Sequence, residues 1–176
     1  MKENFDLAFE KVIGVEGGFQ KDRRDRGNWT SGLIGKGQLK GTKFGISAMA
    51  YPDLDIENLT LEQAKDIYYR DYWTPVNGDA LPVGVDYITF DTAVNHGTKP
   101  AAVLLQKAVG AVPDGAIGPR SLKRIVAKAP EDIIVEFAVR RALAYAGMKM
   151  LNTYGLGWYR RLFKVTLAAL DQSKGE

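Results

Sequence analysis

The sequence predicts a mainly α-helical protein with a small irregular or β-hairpin subdomain near residues 19–47. Three observations predict it. Apolar residues recur at helical spacing at the start of the chain and over most of the stretch after Pro52. Glycine recurs at 27, 32, 35, 37, 41 and 45 among polar and basic residues, which excludes a helix there. Capping or proline residues stand in front of several of the later apolar runs.

Residues 4–15 place Phe5, Ala8, Phe9, Val12 and Ile13 on one helical face, and Gly14, Gly17 and Gly18 end the run. After the glycine-rich segment, Thr60-Leu61-Glu62-Gln63 forms a capping box that starts a helix carrying Ala64, Ile67, Tyr68 and Trp73. Further helices are expected over 82–97, from Pro100 to Ala111, from Pro119 to Ala129, over 130–154 and over 157–171. Turn residues at Asn77–Pro82 mark the weakest seam, giving lobes over 1–76 and 77–176 packed as one unit. Trp73 and Trp158 fall among apolar helix positions and read as core, whereas Arg160-Arg161 reads as a solvated face.

Composition narrows the chemistry. The chain has 176 residues, 45% of them hydrophobic, enough for a sizeable core. A net charge of +3 is too small to indicate nucleic acid, so no nucleic-acid partner is expected. No run approaches the roughly 20 apolar residues of a bilayer span, and the N-terminus lacks a signal-peptide pattern. The expectation is therefore synthesis in the cytoplasm and no membrane insertion. There is no cysteine and one histidine, His96, so a zinc site and thiolate catalysis are not expected, and no metal or cofactor is called for. His96 precedes Gly97 near a helix end, where a partly charged imidazole suits the dipole.

Carboxylate chemistry remains. Glu16 follows an apolar turn, precedes two glycines that cannot block a ligand, and has Phe19 nearby as a low-dielectric wall. Local physics leaves it open between a protonated acid and a solvated glutamate at a helix end. Asp22 and Asp25, among Arg23, Arg24 and Arg26, are both candidates for an ionised partner; an exposed ion-paired turn is the plain alternative.

The ordered set EGGF (Glu16 to Phe19), Asp22, Asp25, Gly27-Asn28-Trp29-Thr30 and GTKFGIS (Gly41 to Ser47) resembles glycoside hydrolase family 108, the endolysin-type N-acetylmuramidases of phages and prophages. Arg26 departs from the proline common at that place. The resemblance implies a lysozyme-like fold and cleavage of the β-1,4 bond between N-acetylmuramic acid and N-acetylglucosamine in peptidoglycan. It implies Glu16 as acid, Asp25 as the carboxylate that stabilises charge or activates water, and a threonine beside them. Counting forward from Asp25 selects Thr30, and matching Gly45-Ile46 selects Thr42, which is favoured for its place beside a compact strand. Trp29 is the expected sugar-stacking face, with Asp22, Thr30 and Asn95 as further substrate contacts. The C-terminal half, roughly residues 75–170, resembles a small peptidoglycan-binding module through Asp91–Gly97, Leu105–Gly110 and Asp114–Pro119, although Asp114-Gly115 and Gly118-Pro119 equally make a tight turn. On this resemblance the partner is peptidoglycan glycan strands, reached by a monomer after release, for example through a holin. A lytic transglycosylase and a non-catalytic wall-binding protein are the alternatives.

Overall fold

A computed structural model describes residues 2–14 and 18–175, with the side chains of residues 2 and 3 left aside. Two compact units emerge: one spans Phe9–Tyr69, and the other takes in the start of the chain to Ala8 together with Arg70 onward. Their boundary precedes the turn-rich segment at 77–82.

Helix α1 (Lys2–Ile13) stops two residues short of the predicted end. Gly14 takes a positive φ of 74° and its N–H bonds to the carbonyl of Glu10, so the chain leaves the helix at the first glycine that allows it. Val15, Glu16 and Gly17 lie outside the described residues, and with them the predicted acid.

The Phe9–Tyr69 unit is built on turns. Isolated bridges Gln20↔Thr42 and Trp29↔Leu39 hold its loops, and strands β1 (Thr42–Lys43) and β2 (Ile46–Ser47) form the hairpin expected from the sequence. Phe44 and Gly45, both at positive φ, form its tip, the geometry that two-residue hairpin loops favour. The carbonyl of Phe44 accepts a bond of 3.0 Å from the Tyr68 hydroxyl. Helix α2 (Leu61–Tyr68) starts at the predicted capping box, with Thr60 and Gln63 bonded reciprocally at 2.9 and 3.2 Å. Its buried face of Ala64, Ile67 and Tyr68 packs in the same unit as Ile46, Ala48, Ile56 and Leu59, and Phe9 meets Tyr68 edge-on.

The second unit is helical. A π-turn at Tyr69–Trp73 follows α2, so Trp73 is not carried by an α-helix as expected. Its place in the core is as predicted: the indole is fully buried, with Phe5 and Phe90 edge-on at 5.4 and 5.5 Å. Helix α3 (Val85–His96) has every residue from Val85 to Ala93 buried, and α4 (Thr98–Val109), α6 (Pro130–Ala146) and α7 (Leu151–Ser173) pack against it. Helix α5 (Pro119–Ile125) follows a turn in which the buried Gln106 amide binds Asp114, Ala116 and Ser121. The Asp114 carboxylate, held below the ordinary range by the Ala116 N–H and then by Gln106, serves that turn.

Four expectations for this unit are corrected. The break predicted near residue 155 falls at Gly147–Met150 instead, because Gly155 is buried inside α7, where an added Cβ would meet Leu151 at 2.9 Å. Trp158 is half-buried rather than core, stacked at a tilt on Tyr145 and Tyr154. Arg161 is not simply a solvated face as expected: only partly exposed, it joins Arg141 in binding the buried carboxylate of Asp91, at 2.5 and 2.7 Å. Arg141 also donates to the Tyr145 oxygen at 2.7 Å, and Tyr145 stands 3.1 Å from His96 Nε2. Burial and then Arg141 lower the His96 pKa, which disfavours the partly charged helix cap expected. Among the described residues no helix is long and apolar enough to cross a membrane.

Candidate active site

The glycine-rich segment brings together residues that the sequence put forward separately. Asp25 caps a 3-10 turn over Arg26–Asn28, its Oδ1 accepting the Gly27 N–H at 2.8 Å. That turn buries Asn28 completely and points it at β1. The Thr42 hydroxyl donates to Asn28 Oδ1 at 2.7 Å, and Asn28 Nδ2 donates to the Gln20 side chain at 2.7 Å and the Asp22 carbonyl at 3.0 Å. Gln20 Nε2 reaches Asn28 Oδ1 at 3.1 Å and Asp25 Oδ2 at 3.3 Å. Asp25 and Thr42 are thus the ends of one chain of side chains: Asp25, Gln20, Asn28, Thr42.

Asp22 behaves differently from Asp25. Arg24 grips both of its carboxylate oxygens at 2.9–3.3 Å, and its main-chain N–H adds a bond of 2.9 Å. These bonds from Arg24 lower the Asp22 pKa to about 2. Such a carboxylate is a poor proton acceptor near neutrality, and its charge is already matched. Asp25 is solvent-exposed and makes no ion pair within 4 Å with a described residue.

The remaining predicted positions are each engaged locally. Trp29 is half-buried, its indole N–H fixed on the Arg23 carbonyl at 2.9 Å. Thr30 is not in a loose loop: its N–H and hydroxyl both bond Gln38 at 2.9 Å, closing the insertion from 30 to 38. Asn95 belongs to the helical unit, is exposed, and folds back to donate to the Asp91 carbonyl at 2.7 Å. Gln20 and Asn28 were not singled out from the sequence. Asn28 lies inside the Gly27–Thr30 motif, but one sequence carries no sign that its amide is buried.

Comparison with known proteins adds an independent line. The family Glycosyl hydrolase 108 matches residues 9–97, a span that holds Gln20, Asp25, Asn28 and Thr42. No curated protein matches. Among solved structures, one titled "Structure of Brucella abortus SagA" superposes with a TM-score of 0.82 at 33% identity, covering 100% of this chain and 99% of that one. The architecture is accordingly mainly α and lysozyme-like, as expected from the sequence. With half the chain inside the family's pattern and a 33%-identical structure along its whole length, this protein belongs to glycosyl hydrolase family 108, a family of glycoside hydrolases.

Proposed function

We propose that the protein is a peptidoglycan hydrolase of the lysozyme type, cleaving the β-1,4 bond between N-acetylmuramic acid and N-acetylglucosamine. Glu16 donates a proton to the leaving oxygen, Asp25 receives the proton of the attacking water or stabilises the developing charge, and Thr42 orients that water. The observation that carries this assignment is the chain from Asp25 through Gln20 and Asn28 to Thr42, which ties the two residues into one assembly. Between the two aspartates, the Arg24 grip on Asp22 favours Asp25 as the reacting carboxylate. Between the two threonines, the Gln38 bonds of Thr30 favour Thr42.

In this reading Trp29 offers a sugar-stacking face, held in place through its N–H, while Asp22, Thr30 and Asn95 give polar contacts to the glycan. The chain from residue 77 onward adds grip on the wall polymer. The protein acts on the cell wall as a monomer in the manner of an endolysin, reaching the periplasm through a separate release step such as a holin.

The test uses purified sacculi, with reducing ends and muropeptide masses as readouts. The wild-type protein is expected to release reducing muramic acid ends, and Glu16→Gln to lower the rate at least about 100-fold, the low end of general-acid contributions. Near-normal lysis by Glu16→Gln would overturn the mechanism. Products ending in 1,6-anhydro sugars would identify a lytic transglycosylase instead. Binding without new ends would identify a wall-binding accessory protein.

A further inference from the structure

We propose that Gln20 and Asn28 are positioning residues that fix the Thr42 hydroxyl as a hydrogen-bond acceptor toward the reacting water, with their polarity set by the main chain of Asp22. The proposal rests on the assignment of Asp25 and Thr42 to the reaction given above.

A side-chain amide has an oxygen end and a nitrogen end of nearly equal shape, so its orientation must be dictated by neighbours that have only one possible role. Asp22 supplies two such neighbours. Its main-chain N–H can only donate, and it donates to Gln20 Oε1 at 3.2 Å. Its carbonyl can only accept, and it accepts from Asn28 Nδ2 at 3.0 Å. With Gln20 Oε1 turned toward the Asp22 N–H, Gln20 Nε2 faces outward to Asn28 Oδ1 and Asp25 Oδ2. With Asn28 Nδ2 turned toward the Asp22 carbonyl, Asn28 Oδ1 faces Thr42. Reversing Asn28 would set its oxygen against the Asp22 carbonyl, two acceptors without a proton between them, at a residue with no solvent exposure.

The consequence for Thr42 is chemical. A hydroxyl has one proton, and Thr42 spends it on Asn28 Oδ1 at 2.7 Å. Only lone pairs remain for anything else that meets this oxygen. A water bound there must donate one hydrogen to Thr42. Its other hydrogen points to Asp25, and its free lone pair is left for the sugar carbon. As the bond from the water oxygen to carbon forms and the glycosidic bond breaks, Asp25 takes the water proton and Glu16 protonates the leaving oxygen. Had Thr42 been a donor, it would have occupied a lone pair of that water instead.

The test compares kcat and KM on a soluble muropeptide oligomer for Asp25→Ala, Thr42→Val, Thr42→Ser, Asn28→Ala, Gln20→Met and the double variant Asn28→Ala/Thr42→Val, with folding checked by circular dichroism. We expect Thr42→Val and Asn28→Ala each to lower kcat about 10- to 100-fold, the scale of a misplaced reacting group, with KM within about twofold. Thr42→Ser keeps the single donated proton and should retain most of kcat. In the double variant Asn28→Ala should add no further loss, because it acts through the hydroxyl already removed. If buried Asn28→Ala does not fold, exposed Gln20→Met decides by the same split, with kcat falling and KM kept. Loss in Thr42→Val beside wild-type kcat in folded Asn28→Ala or Gln20→Met would overturn the positioning role and leave the Thr42 assignment standing. So would multiplicative losses in the double variant. Wild-type kcat in both Asp25→Ala and Thr42→Val would instead sink the catalytic assignment on which the proposal rests.

Discussion

Replacing Asp86 by asparagine should make the protein more stable at neutral pH, and the size of the gain follows from how that carboxylate is housed. Asp86 sits in the first turn of α3 with only 2% of its surface exposed. Its Oδ1 accepts the Tyr87 N–H at 2.6 Å, and its Oδ2 accepts from Asn4 at 3.2 Å. Burial outweighs these bonds and raises its pKa from 3.8 to about 6. Between those values the folded protein holds a proton that the unfolded chain has released, so stability falls as pH rises through the window. About two pKa units at 1.36 kcal/mol each amount to roughly 3 kcal/mol, absent below pH 3.8 and complete above pH 6. Asp86→Asn is neutral throughout and keeps an oxygen for the Tyr87 N–H, so it escapes this cost. Thermal unfolding should show the variant melting roughly 6–12 °C above wild type at pH 7.5, taking 2–4 °C per kcal/mol for a chain of this size. The advantage should vanish at pH 4. A variant no more stable than wild type at pH 7.5, or a gain equal at both pH values, would refute the account.

Three further substitutions probe packing. Asp91→Ala leaves Arg141, whose side chain is 1% exposed, without its counterion, and should cost about 3–5 kcal/mol in urea unfolding. Arg161→Ala, at the 39% exposed end of the same cluster, should cost about 1 kcal/mol or less, and equal costs would show that burial does not set the scale. Gly45→Ala combines a φ of +75° with a Cβ only 2.5 Å from the Tyr68 hydroxyl. It should destabilise by about 1–3 kcal/mol and break the Tyr68–Phe44 bond, visible as a shifted tyrosine resonance; an unshifted signal would contradict this.

What the sequence made legible was local. The capping box at Thr60, the glycine at 97 and the proline at 119 mark their helix ends in a few adjacent residues, and the structure has helix ends there. The hairpin was legible only as a glycine-rich, non-helical stretch; that Phe44 joins Gly45 at positive φ carries no sign in the sequence. Errors arose where a distant partner decides. A break was expected between residues 154 and 157, yet α7 runs through Gly155 and Gly157 alike. Arg161 looked solvated because Asp91 lies 70 residues away. Of the candidate site, the acidic and hydroxyl residues were put forward through the family resemblance, local chemistry having left them open. Gln20 and Asn28 were not, because what matters in them is which end of each amide points where. That is fixed by backbone groups, which carry no letter in the sequence.

The same fact bears on the conditions under which the site keeps its shape. Asp22 grips Arg24 through an ion pair, which acid would protonate and salt would screen. The path from the Asp22 peptide groups through Gln20 and Asn28 to Thr42 contains no ionisable atom. The groups that orient Thr42 therefore respond less directly to acidity and ionic strength than the Asp22–Arg24 pair does.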